Sequence, residues 1–253
     1  MKSAFLSLLG LVAWLLSASA ASGEMLVEYR DKPPYSYTED GKPRGFLIER
    51  TIRILEAAGI AATYQETPVK RIMNDIQTRT DTVICSPSWY KLPERESFAR
   101  FSLAIHQDKP HLILAGPHAA GAVTAHKTLN DLFNDSKLRL GLIEGVSYGS
   151  DLDRMINQQG KNHTRWLNVT NEQLIKMIAS ARDADYMMMD DDDYNFLNKE
   201  GDLDKLGIVK VATKSNTPPG LKRYIMCSKS LDDATLARIN QAIHKQLPIT
   251  LNP

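Results

Sequence analysis

The period of the apolar positions changes repeatedly along this chain, and each change marks an element. Met25 to Tyr29 reads as a short strand, which Pro33-Pro34 breaks before Tyr35-Ser36-Tyr37. Glu39-Asp40-Gly41-Lys42-Pro43 has turn composition. From Phe46 to Ala58 the apolar residues recur helically, and Gly59 stands where a helix stops. Ala61 to Gln65 predicts a strand. Val69, Ile72, Met73 and Ile76 share one helix face, and Thr82 to Cys85 reads as a short buried strand. His111 to Ala115 predicts the strand that leaves a first lobe, followed by the loose run Gly116 to Ala125.

The pattern then restarts. Leu140 to Ile143 predicts a strand, and Gly145-Val146-Ser147-Tyr148-Gly149 a turn entering a helix. Thr170 with Gln173 forms a capping box ahead of a helix that buries Leu174, Met177, Ile178 and Ala181. Tyr186 to Met189 is a buried strand, and Thr217-Pro218-Pro219-Gly220 a linker-like turn. Arg223 to Cys227 is a strand, and Ser230 caps a final helix with Leu236, Ile239 and Ile243 inward. Strands alternating with amphipathic helices predict an α/β fold, with mostly parallel sheets covered on both sides. The restart predicts two lobes. Residues 24–113 and 222–253 form the first, and 114–221 are inserted as the second.

Residues 1–20 break this scheme. Lys2, the apolar stretch Ala4 to Leu16 and the small-x-small site Ala18-Ser19-Ala20 predict a secretory signal cleaved near Ala20. The stretch is shorter than the ~20 residues that span a bilayer core. The mature chain of about 230 residues is therefore expected in the periplasm, where it fits one large domain or two small ones. Lys and Arg total 31 against 30 Asp and Glu, and losing Lys2 balances them. A neutral exported protein has no electrostatic reason to hold nucleic acid or an anionic membrane. Cys85 and Cys227 either pair or stay as buried thiols; an oxidising compartment favours the Cys85–Cys227 disulfide. Neither lies in metal-ligand or CxxC spacing, so no metal site, cofactor or redox role is expected.

Four segments carry a resemblance. PPYSYTEDGKPRGFLIE (33–49), PERESFARFS (93–102), LGLIEGVSYGSDLD (140–153) and RDADYMMMDD (182–191) resemble, in order, segments of the family 3 bacterial extracellular solute-binding proteins. That resemblance implies a two-lobe periplasmic-binding-protein fold of type II, whose lobes are joined by two crossing strands that form a hinge. It further implies a monomer closing on a small zwitterion, an amino acid or a related carboxylate, and presenting it to an inner-membrane ABC permease. A sensor reading the same closed state is a related alternative, and a dehydratase-like enzyme on this scaffold is another. Two departures change the pocket. Leu47 follows Gly45-Phe46 where the family commonly has an acid, and Ser88 to Arg95 is longer than in typical amino-acid receptors and contains Trp89-Tyr90.

The resemblance places Arg95 as the ligand's carboxylate partner, a role that suits a planar, permanently charged fork. The alternative is a surface pair with Glu94 or Glu96. Ser86 and Ser88, after the Thr82–Cys85 strand, would face the ligand at the carboxyl end of the sheet, or serve as plain turn residues. Ser147 and Tyr148 would complete a carboxylate clamp at a helix start, unless Ser147 only caps it. Asp190, first of the run Asp190 to Asp193, would hold a ligand amine, or belong to a solvated helix start. Tyr35 and Trp89 would wall the cleft, or pack in the core. None of the six histidines lies in the four segments, and with no partner spacing they read as surface or loop residues. With no nucleophile elbow or His-Glu-x-x-His, no catalytic residue is assigned and the chain is not expected to be an enzyme.

Overall fold

The computed structural model describes residues 25–159, 163–199 and 201–252, so the expected signal lies outside the described residues. Two five-stranded mixed sheets organise the chain. The first has the order β4-β1-β5-β12-β6, with β1 Met25–Tyr29, β4 Ala62–Glu66, β5 Ile84–Tyr90, β6 Ala99–Gln107 and β12 Lys222–Ser228. The second has the order β11-β7-β10-β8-β9, with β7 Leu112–Ala115, β8 Leu140–Ile143, β9 Thr164–Leu167, β10 Tyr186–Met189 and β11 Val209–Val211. In the first sheet β1 runs parallel to β4 and β5, while β12 runs antiparallel to β5 and β6. In the second, β8, β9 and β10 are parallel and β7 opposes β10 and β11. A hairpin of β2 Tyr37–Glu39 and β3 Lys42–Arg44 turns at Asp40-Gly41, both at positive φ.

Helices cover both faces of each sheet because each has one apolar stripe. In α1 Phe46–Ala57 the stripe is Leu47, Ile48, Ile54 and Leu55. It packs with Ile239 and Ile243 of α10 Asp233–Gln246 over Val27, Ile105 and Ile225. On the opposite face α2 Val69–Thr78 sets Ile72 and Ile76 against Ile84 and Met226. The second sheet repeats the plan. Leu132 and Phe133 of α5 Leu129–Asn134, with Leu152 and Ile156 of α6 Ser150–Gln159, cover one face. Leu174, Ile175 and Ile178 of α7 Asn171–Ala179 cover the other. The Thr170–Gln173 capping box that opens α7 is formed in full.

Several local expectations are corrected. β5 runs on from Cys85 to Tyr90, so Ser86 and Ser88 lie within a strand rather than after one. β7 belongs to the second sheet, where β10 and β11 flank it, so the first boundary falls before Leu112 rather than at 113. An apolar strand carries no mark of which sheet will pair with it. The run 116–125 contains the short helix α4 Ala120–Ala125. α7 stops at Ala179, and Ala181 adopts positive φ. The last helix is capped by Asp232, whose side chain accepts from the Thr235 amide at 2.8 Å; the Ser230 hydroxyl bonds Ser228 instead.

The two sheets are joined where 108–111 leaves β6 and where 212–221 enters β12. These segments run side by side, and the Asp108 amide donates to the Leu221 carbonyl at 2.9 Å. A Cβ on Gly220 would lie 1.9 Å from the Asp108 carbonyl oxygen, so only glycine permits the crossing. Cys85 and Cys227 face each other across β5 and β12 with Cα atoms 4.0 Å apart, and they form a disulfide. It ties the returning C-terminal strand into the first sheet. Among the described residues no helix is long and apolar enough to cross a membrane.

Candidate functional site

A cleft of about 550 Å³ opens between the sheets. On the first-sheet side it begins where β1 and β5 end, at Arg30 to Lys32 and at Ser88 to Tyr90. On the other it is lined by residues following β8 and β10, including Val146, Tyr148 and Asp190. Carboxyl ends of parallel strands converge there, which is where open α/β sheets bind ligands. The walls differ in character. The first side presents Arg30, Lys32, Arg95 and Arg223, whereas Ile143, Val146, Val169, Met188 and Met189 make much of the second side apolar.

Charge is concentrated around Arg223, a β12 residue that is only 2% exposed. Its Nε donates to Asp108 at 2.7 Å, and its Nη2 donates to Asp190 at 2.8 Å and to the Tyr90 hydroxyl at 2.9 Å. The guanidinium also stacks over the rings of Tyr35 and Tyr90, 4.4 and 4.6 Å from their centroids. Asp190 meets further partners. The Tyr35 hydroxyl donates to it at 3.3 Å, His111 Nε2 lies at 3.1 Å and Lys32 Nζ at 3.8 Å. Burial alone would raise the Asp190 pKa, but Arg223, then His111 and Lys32, overcome it and bring it down to about 2. His111 itself is pushed down by its burial, which outweighs the pull of Asp190 and Asp108.

The acidic run Asp190 to Asp193 acts as a bridge between the sheets. Asp191 pairs with Lys109 at 2.6 Å, Asp192 with His106 at 3.0 Å and Asp193 with Lys32 at 3.4 Å. Each partner belongs to the first sheet, its loops or the crossing segment. The dipole at the start of α8 Asp191–Leu197 favours these acids, and cross-sheet cations then bury three of the four. A solvated helix start is therefore not what forms here.

The chain matches the family described as bacterial extracellular solute-binding proteins, family 3, over residues 26–246. It is a member of that family. Among curated proteins none matches. Solved structures do. A histidine kinase sensor domain with similarity to periplasmic binding proteins is 17% identical, with 88% of this chain and 89% of that one covered and a TM-score of 0.65. The arginine-, lysine-, histidine-binding protein ArtJ from the thermophilic bacterium Geobacillus stearothermophilus is 16% identical over the same shares, also at 0.65. A structure from the study of glutathione import via GshT and the cystine ABC importer TcyBC of Streptococcus mutans is 15% identical, with 88% of each chain covered and a TM-score of 0.67. At these identities the likeness establishes the two-lobe fold of periplasmic binding proteins.

In this solute-binding protein six of the eight expected site residues line the cleft: Ser88, Trp89, Arg95, Ser147, Tyr148 and Asp190. Arg95 sits in the single turn α3 Pro93–Glu96. Its Nη1 donates to the Tyr90 carbonyl at 2.9 Å, and its guanidinium lies 5.0 Å from the Trp89 ring centroid. Glu96 pairs with Lys91 at 3.0 Å instead, and no carboxylate lies within 4.0 Å of Arg95 among the described residues. Ser86 and Tyr35 are one layer back. Ser86 Oγ accepts from the Trp89 indole N–H at 2.8 Å, and Tyr35 is fully buried beneath Asp190 and Arg223.

Two placements alter the expected chemistry. Ser147 Oγ donates to Asp153 at 2.7 Å and the Tyr148 amide donates to the same carboxylate at 3.0 Å. The turn before α6 thus already holds an anion, contributed by α6 itself. Likewise one oxygen of Asp190, expected to hold a ligand amine, accepts from the chain's own Arg223, while the other is buried without a hydrogen-bond partner. Sequence reasoning missed Arg223, Arg30, Lys32, Asp108 and the buried His111. The available signals were an arginine inside the strand Arg223 to Cys227 and three consecutive charges, Arg30-Asp31-Lys32, at the end of another.

Proposed function

We propose that this chain is a periplasmic receptor that captures a small carboxylate-bearing solute, an amino acid or a relative, between its lobes and delivers it to an ABC permease. The observation that carries the reading is Arg95: a half-buried guanidinium on the cleft wall, braced by Tyr90 and Trp89, with no carboxylate within 4.0 Å among the described residues. Such a group is stabilised by an anion from outside. Ser88 and Trp89 shape the wall next to it, and the apolar second wall encloses the ligand's aliphatic part. A ligand touching both walls shifts the lobes toward closure by its differential affinity for that state. The contacts of Asp190 to Asp193 with first-lobe cations would then form or tighten on closing.

The delivery step is supported by the family and by likeness to a structure associated with a cystine ABC importer. Likeness to a kinase sensor domain supports a second reading, in which the closed form is read by a signalling partner. The test of the receptor reading is a melting-temperature screen of the mature protein against amino acids, small carboxylates and polyamines. A ligand that binds only the folded state raises the midpoint. Arg95→Ala is expected to fold and to weaken the best ligand by ~2–5 kcal/mol, the cost of removing one partner from a desolvated charged contact. Unchanged affinity in that variant would take Arg95 out of the site.

A further inference from the structure

Four cations face the cleft, and their partners divide them into two pairs. Arg223 is neutralised by Asp108 and Asp190, and Lys32 by Asp193 and Asp190. Arg30 and Arg95 have no carboxylate within 4.0 Å among the described residues. Arg30 makes one long hydrogen bond, from Nη2 to the Ser88 carbonyl at 3.4 Å, and its Nε is buried without a partner. Both guanidiniums lie over Trp89, at 5.4 Å and 5.0 Å from its ring centroid. Asp31, the remaining acid at the cleft, is exposed and pairs with neither.

Two like charges held at one indole are costly without counter-charge. Burial, then the neighbouring Arg223, pushes the Arg30 pKa down to about 10, with Arg95 adding to the same effect and Tyr90 and Asp193 opposing it. Ring quadrupole attraction offsets only part of this. A single ligand carboxylate would bring one negative charge to two guanidiniums, and a second acid would complete the balance. At the opposite end, Asp190 Oδ2 is met by Arg223, Tyr35 and Lys32, while its Oδ1 is buried without a hydrogen-bond partner, 3.1 Å from His111 Nε2.

We infer that Arg30 is a second anion-binding residue and that the ligand carries two acidic groups, one for Arg30 and one for Arg95, rather than being a singly acidic zwitterion. This rests on the receptor reading above and names its ligand class: dicarboxylates, including acidic amino acids. The net charge of the bound solute is negative.

The test uses pairs of compounds that differ by one acid. Dicarboxylates from malonate to adipate are compared with their monoamides, and glutamate with glutamine, by calorimetry on the mature protein. The diacid of at least one pair should bind about tenfold or more tightly than its amide, as loss of one charged contact implies. In Arg30→Gln that ratio should collapse toward about one, while Arg95→Gln weakens both members. The ligand-free Arg30→Gln protein should melt at or above the wild-type temperature, since an unpaired buried charge is gone. Amides that bind as tightly as the diacids, or a ratio that survives Arg30→Gln, would overturn the inference. If glutamine or alanine binds and Arg95→Gln abolishes it, the receptor reading stands and only the two-acid assignment falls. If nothing in the panel binds, both fall.

Discussion

Replacing Arg223 with methionine tests the centre of the charge network. The side chain is 2% exposed and sits between Asp108 and Asp190 at 2.7 and 2.8 Å, with the Tyr90 hydroxyl as a third acceptor. Methionine keeps much of the volume and removes the charge, leaving two buried carboxylates. Asp190 retains Tyr35, Lys32 and His111, whereas among the described residues Asp108 retains the Tyr90 hydroxyl at 2.7 Å and His106 at 3.4 Å. Breaking one side of a buried ionic cluster costs about 3–5 kcal/mol. For a domain of this size about 1 kcal/mol moves the midpoint by about 2–4 °C, so thermal unfolding followed by circular dichroism near neutral pH should show a fall of roughly 6–20 °C. Adding Asp190→Asn removes one stranded charge and should recover about half of the loss, a coupling expected of residues in direct contact. An Arg223→Met midpoint within about 2 °C of wild type would refute the reasoning, because it would mean the network is solvated and cheap to break.

Three further outcomes are expected. Replacing Cys85 and Cys227 together with serine opens a link across 142 residues and should cost about 5 kcal/mol by chain entropy; reduction that leaves the melting point in place would contradict the bond. Glu28 on β1 is buried beside Asp75 of α2, and burial first, then Asp75, raises its pKa from 4.5 to about 7. The folded chain therefore binds more protons than the unfolded one between those values, so stability should decline by about 3 kcal/mol as pH rises through that window. Glu28→Gln should flatten the decline, and melting curves at about pH 5 and about pH 8 that differ equally in both proteins would count against it. Arg95→Ala should retain the fold while losing ligand, read as an unshifted melting profile on addition of the best wild-type ligand.

Much of this protein was legible in its sequence because the deciding forces are local. The apolar period of Val69 to Ile76 and of Leu174 to Ile178 sets which helix face is buried; Ile72 and Ile76 of α2 and Leu174, Met177 and Ile178 of α7 follow it, while Val69 at the start of α2 stays exposed. The Thr170–Gln173 box needs only three residues of chain to close. β8 and β10 run over the expected residues because each is a short apolar run ending at a polar turn. Arg95, Ser88 and Trp89, singled out through the resemblance of the segment ending in Phe101-Ser102, line the cleft.

The sequence alone determined many of the helices and strands, the capping box, the family and therefore the presence of a cleft between two lobes. Tertiary structure decided which charges remain free in that cleft. Asp190 looks the same in sequence whether it meets a ligand amine or a guanidinium 33 residues away, and only the antiparallel seating of β12 beside β5 brings Arg223 to it. Asp153 claims Ser147 and Tyr148 because the turn after β8 folds back onto α6. Arg30 and Arg95 have no carboxylate within 4.0 Å among the described residues because Asp190 and Asp193 pair with Lys32 and Arg223, and Glu96 pairs with Lys91. Local patterning fixes which residues are buried, but the pairing of buried charges depends on distances that exist only once both lobes are folded and facing each other.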